Sequence, residues 1–106
     1  MIRVEVVTSS DGGVRSVRIQ GHGSAGYGKD LVCAGVSSCF VGALNAIEEL
    51  PNFDAVVESG NSLVQSKKKP NPHDQVVLET LVVQLRTIAS SYPEEVVVSS
   101  KKEGAK

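Results

Sequence analysis

Tryptophan is absent from this 106-residue chain, and aromatic residues make up only 4% of it, so a platform of rings on which nucleobases could stack is poorly supplied. Charge of one sign is missing as well. Eleven Lys and Arg stand against twelve Asp and Glu, a net charge of −1 with both His neutral, which removes the basic excess that coats phosphate backbones. Direct nucleic-acid binding is therefore not expected. Cysteine is scarce: Cys33 and Cys39 are the two in the chain, too few for a disulfide framework and without partners at metal-ligand spacing. No metal is expected. No apolar run reaches the roughly eighteen residues of a membrane span. The start of the chain alternates Ile2 and Val4 with Arg3 and Glu5, unlike the apolar block of a signal peptide. The reading is one domain over residues 1–106, cytoplasmic and with no membrane contact.

What is present is a clear succession of patterns. Met1 to Val7 alternates with the period of a half-buried strand. Asp11-Gly12-Gly13 supplies a turn, and Val14 to Gln20 resumes the alternation, which predicts an antiparallel hairpin. Gly21, Gly23, Gly26 and Gly28 then crowd into eight residues, a loop composition. Asp30 is the candidate N-cap of a helix. Its apolar face carries Val32, Val36, Cys39, Phe40, Ala43, Ile47 and Leu50, and Pro51-Asn52 ends it. Gly35, Gly42 and Ala46 lie along one side of this helix, where a sheet or second helix is expected to approach closely. Phe53 to Glu58 and Leu63 to Ser66 flank Ser59-Gly60-Asn61-Ser62, a second hairpin. Asn71-Pro72 reads as a cap followed by proline at the first helical position. Val77, Leu78, Leu81, Leu85 and Ile88 carry that helix to about Ser91, and Pro93 stops it. Val96 to Val98 makes a short last strand before a Lys-rich tail, expected to fray. The order ββαββαβ predicts an α+β fold, a five-stranded sheet with two amphipathic helices packed on one face.

The chemistry concentrates between Gly21 and Ser37. Cys33 falls in the predicted first helical turn, where unpaired N–H groups and the positive end of the helix dipole favour a thiolate and can hold an oxyanion. His22 lies eleven residues earlier at the end of a strand, and the glycine loop could fold back to bring its imidazole to the thiol. A neutral imidazole beside a thiol can take its proton and later protonate a leaving amine, the minimum for cysteine acyl transfer. The plainer reading is a half-buried cysteine that packs and a histidine satisfied within a loop. Cys39, mid-helix in the apolar stripe, reads as core. Gly23 to Lys29 fits the phosphate-loop spacing, but Asp30 stands where Ser or Thr should hold magnesium, and nucleotide chemistry is set aside. Asp30 reads first as a cap and second as a group orienting His22. Its charge would oppose ionisation of Cys33. Ser37, one turn beyond Cys33, could bond the thiol or imidazole or be a surface hydroxyl. Tyr27 could cover a substrate or merely pack its loop. Lys67 to Lys69 reads as a solvated run or a guide for an acidic or RNA-associated partner, and His73 as surface polar.

The block G-H, glycine-rich loop, then G-K-D-L-V-C-A-G-V-S from Gly21 to Ser37 resembles the ribosomal-processing cysteine protease family Prp, the YsxB-like proteins. The chain agrees with it in length and element order. That resemblance implies an α+β domain acting as a homodimer without a cofactor. It also implies a Cys/His dyad that removes the N-terminal extension of large-subunit ribosomal protein number twenty-seven. By position, Cys33 matches the family nucleophile and His22 its base, and Asp30 and Ser37 match further motif positions without a transferred role. Gly23, Gly26, Tyr27 and Gly28 would form the substrate loop. Gly23 replaces a common Ala and Leu31 a frequent Ile. The family substrate implies an apolar cleft beside Cys33. Two other readings stand beside this one. The first is a non-catalytic module that grips a peptide or ribosomal surface. The second is a redox pair of Cys33 and Cys39, whose side chains would point about 120° apart around an ideal helix, a poor geometry for bridging.

Overall fold

Alternation of apolar and charged side chains turns Ile2, Val4 and Val6 of β1 (Ile2–Thr8) and Val17 and Ile19 of β2 (Val14–Gln20) toward one buried layer. The computed structural model describes residues 1–22 and 29–104, with the side chains of Lys29 and Asp30 outside the described residues. The two strands pair antiparallel, Val4 opposite Ile19 and Val6 opposite Val17. At their turn the Asp11 carboxylate accepts the Gly13 N–H at 2.9 Å and the Ser9 hydroxyl. Side-chain bonds of this kind are why Asp favours turns.

The first helix, α1, spans Lys29–Ala46. Asp30 is its second residue and so is not the N-cap, a correction that also moves Cys33 from the first turn to the start of the second. The far end differs too, because α1 stops at Ala46, before the predicted Pro51. Ile47 N–H still closes onto Ala43 O and Leu44 O, but the next two N–H groups leave the helix for the carboxylate of Asp74, 2.8 Å from Glu48 and 3.1 Å from Glu49. A single-turn 3₁₀ segment, Leu50–Asn52, then delivers the chain to β3.

The second hairpin consists of β3 (Phe53–Glu58) and β4 (Asn61–Ser66), with only Ser59-Gly60 between them. Asn61 and Ser62, expected in the turn, already pair with Glu58 and Val57. The second helix, α2, runs Pro72–Ser91 as predicted, with the Asn71 side chain accepting the Asp74 N–H at 2.7 Å. Such a cap contributes about 1 kcal/mol. The last strand, β5, extends over Val96–Lys102. The tail expected to fray is hydrogen-bonded instead, Ser99 to Lys102 pairing with Glu5 to Thr8. Polarity did not exclude a strand here, since this stretch lies at a sheet edge and needs one partner only.

The strand order is β3-β4-β2-β1-β5, with β5 parallel to β1 and every other pair antiparallel. Val32, Val36, Phe40 and Ala43 of α1 and Leu78, Leu81 and Leu85 of α2 meet the inward strand residues in one buried cluster. Full burial of each such Val, Leu or Phe contributes about 1.5–3 kcal/mol, which fixes both helices to the same face of the sheet. Gly35 allows the expected close approach, Ile88 of α2 lying 3.7 Å from where its side chain would begin, whereas Gly42 faces open space. The outward face is polar, with Lys101 3.4 Å from Glu5 and Arg15 3.7 Å from Glu103. No helix among the described residues is long and apolar enough to cross a membrane.

Candidate active site

His22 is placed by its neighbour. Gly21 ends β2 at φ +96°, a conformation natural to glycine, and a Cβ there would overlap the carbonyl oxygen of Met1. The turn is tied on both sides: Gly21 N–H donates to Gly60 O at 3.0 Å, and the Met1 amino group donates to His22 O at 2.8 Å. These bonds direct the exposed imidazole over the β3–β4 turn. A Cβ on Gly60, itself at φ +74°, would come within 2.8 Å of His22 Cε1 and 3.2 Å of Cδ2, and nearer still to Nε2.

Cys33 reaches the same place from the helix layer. It is half-buried, packed against the core cluster, and opens on a cleft of about 210 Å³ whose rim also carries His22, Ser37, Glu58, Gly60 and Asn61. Ser37, one turn beyond Cys33, shares its face as the spacing predicts. The cleft continues into a second hollow of about 250 Å³, shared through Ser37, Glu58 and Ser59 and walled by Phe40, Val41 and Val57. A polar end with thiol and imidazole thus runs into an apolar end, as the resemblance implied for the surroundings of Cys33.

Because Cys33 is the fifth residue of α1, its own N–H falls within the i to i−4 ladder. The helix's unpaired N–H groups belong to its first residues, ahead of Cys33. The loop residues Gly23, Gly26, Tyr27 and Gly28, and the Asp30 side chain with its proposed reach to His22, lie outside the described residues.

Cys39 does not join the site. It is half-buried beside Gly42, Val76 and Val77 in a groove between the two helices, so it lines that groove as well as touching the core. Neither cysteine is in a disulfide, and their opening onto different clefts leaves the redox pair without geometric support. His73 does more than the surface role expected of it: its Nε2 donates to Ala46 O at 2.9 Å, closing the end of α1. Glu48, His73 and Asp74 bring ligand-type atoms within 4.8 Å of one another. His73 Nε2 and both Asp74 oxygens are, however, already engaged by the backbone at the α1 terminus. The cluster fastens two helices and has little left to offer an ion.

The β3–β4 turn was the part of the site that patterning missed. Ser59-Gly60-Asn61-Ser62 reads as a hairpin tip, and only its register against β2, with Asn61 opposite Gln20, sets it beside His22.

A thiol and an imidazole at one end of a trough with an apolar far end, carried on an α+β sheet, are the equipment of a cysteine hydrolase acting on peptides. The family model described as "Cysteine protease Prp" matches residues 1–97, and the chain belongs to that family. It is 34% identical to the ribosomal processing cysteine protease Prp of Staphylococcus aureus, over 95% of this chain and 100% of the relative. With the protein of the same name from Bacillus subtilis it shares 30% identity, over 94% of this chain and 97% of that one. The fold superimposes with a TM-score of 0.84 on a crystal structure of the S. aureus protease Prp in complex with a covalently linked product peptide. That match is 34% identical and covers 95% of this chain and 100% of the other. Membership of a cysteine protease family decides against the reading as a non-catalytic binding module.

Proposed function

We propose that this chain is a narrow-specificity endopeptidase in which Cys33 is the nucleophile and His22 the general base. His22 takes the Sγ proton as sulfur attacks the scissile carbonyl. The resulting tetrahedral intermediate collapses, the C–N bond breaks, and the His22 proton passes to the departing amine. Water, losing its proton to His22, then hydrolyses the thioester and frees the thiol. The observation that carries this reading is that Cys33 and His22, from different layers of the fold, open on one cleft.

The substrate in this reading is the N-terminal extension of a large-subunit ribosomal protein, number twenty-seven as the family resemblance implies. The names of the relatives support it, and so does the peptide bound covalently to the S. aureus protein. The apolar hollow beside Cys33 suits bulky side chains of such a segment. Ser37, on the rim of the same cleft, is kept as a supporting candidate that bonds the thiol or imidazole, and Asp30 as a second. Gly23, Gly26, Tyr27 and Gly28 are kept as the substrate-contacting residues that the family resemblance implies. The enzyme works as a cytoplasmic homodimer, where ribosomes assemble, and needs no metal or cofactor.

The test is incubation with the extended ribosomal precursor, reading the new N-terminus by mass spectrometry. Cys33→Ala is expected to abolish cleavage, and His22→Ala to slow it by about 10²–10⁴, the usual contribution of a positioned acid–base group. Undiminished cleavage by Cys33→Ala would remove the nucleophile, and full activity of His22→Ala would remove the base.

A further inference from the structure

The turn between β3 and β4 holds two features that the hairpin itself does not require. The first is the seat of the imidazole. With Cε1 and Cδ2 only 2.8 and 3.2 Å from the position a Gly60 side chain would take, and Nε2 nearer, His22 rests its Nε2 edge on the bare α-carbon of Gly60. Any larger residue would push the ring out of place. The second is a buried acceptor: Asn61 Oδ1 is shielded from solvent and has no hydrogen-bond partner among the described residues. An orphaned buried acceptor costs on the order of 1–3 kcal/mol, and Asn61 lines the same cleft as His22. An imidazolium has two N–H groups. If the Nε2 edge is held at the turn, Nδ1 is the nitrogen left for the thiol.

We propose that Gly60 and Asn61 are positioning residues for His22, Gly60 seating the ring and Asn61 Oδ1 accepting its Nε2 proton. This rests on the reading of His22 as the base. The bond fixes which ring nitrogen carries the proton, and it satisfies the second N–H when the first is formed by proton transfer from Cys33. Hydrogen bonds of catalytic groups are commonly loose in unliganded structures and tighten with substrate. In this proposal the bond is completed as the ring turns on its glycine seat when substrate binds.

Two variants separate positioning from folding. Asn61→Leu removes the acceptor and relieves its burial, so it is expected to leave the melting temperature unchanged or raised while kcat falls about 10- to 100-fold at unaltered KM, less than the roughly 10²–10⁴ lost with the acid–base group itself. Gly60→Ala is compared with Gly12→Ala, because Gly12 has a similar φ of +89° and nothing within 4 Å of its would-be side chain. Both carry the same backbone strain, but only Gly60→Ala is expected to lose kcat. Unchanged kcat in Asn61→Leu, or equal kcat in the two alanine variants, overturns the proposal. His22→Ala is measured in parallel. If it keeps full activity, the base assignment itself has failed; if it is inactive while Asn61→Leu and Gly60→Ala are not, only the positioning role has.

Discussion

Asp74 Oδ1 accepts the backbone N–H of Glu48 across 2.8 Å, joining positions 26 residues apart in the chain. Its other oxygen takes the Glu49 N–H, and its own N–H is capped by Asn71. The first turn of α2 is thus the stop of α1, built around a carboxylate with no solvent exposure. Asp74→Ala strands two backbone donors at once and is expected to cost about 2–4 kcal/mol, given roughly 1.5–3 kcal/mol for a bond to a charged group. Asp74→Asn, which keeps one acceptor oxygen, is expected to lose less. Urea unfolding of the three proteins checks the order, and equal midpoints would refute it.

Gly21→Ala is expected to damage both stability and catalysis. The new Cβ meets the Met1 carbonyl at a positive φ, strain of roughly 1–3 kcal/mol, and relief of the clash shifts the residue that precedes His22. A lower melting temperature together with slower cleavage is the expected pair. Gly12→Ala, open to solvent at a similar φ, is expected to leave cleavage intact.

Val57→Asp probes the apolar end of the trough. Val57 is 57% exposed on edge strand β3, so the fold tolerates the change, while a carboxylate in that wall disfavours apolar substrate side chains. KM is expected to rise about tenfold, equivalent to roughly 1.4 kcal/mol, with kcat little altered. A KM equal to that of the parent would mean the peptide does not use this hollow.

Acid sensitivity has a local contributor in the first hairpin. The Ser9 hydroxyl, then the Gly13 N–H and Lys69, hold the Asp11 carboxyl near about 2, below its ordinary 3.8. The unfolded chain therefore binds this proton at higher pH than the folded one. The stabilisation is complete above the ordinary value and is lost as pH falls through the folded one. Asp11→Asn is expected to flatten the pH dependence of the unfolding midpoint in that interval. Parallel profiles for the two proteins would contradict it, and added salt is expected to shrink the effect at this exposed site.

The elements legible in the sequence are those whose signals are local. Asn71-Pro72 and the Leu78, Leu81, Leu85 spacing specify α2 from both ends, and alternation with a glycine turn specifies β1 and β2. The family block set Cys33 and His22 apart, and both open on one cleft. What patterning missed depends on partners far away in the chain. Ala46 ends α1 because Asp74 captures the next N–H groups. Ser99 to Lys102 form a strand because β1 supplies their hydrogen bonds. Gly60 looks like an ordinary turn residue until the β2–β4 register brings it under an imidazole, and Asn61 until it is seen to line the same cleft.

The parallel pairing of β5 with β1 also governs how the molecule comes into being. β1 is synthesised before the other strands of the sheet, yet one of its edges has no partner until Val96–Lys102 has been made. Every other strand and both helices must therefore be made before the sheet can finish assembling, and joining such distant segments carries a loop-closure cost that slows folding. A nascent chain arrested within α2 would still hold β1 with a bare rim, the kind of rim along which unfinished chains adhere to one another.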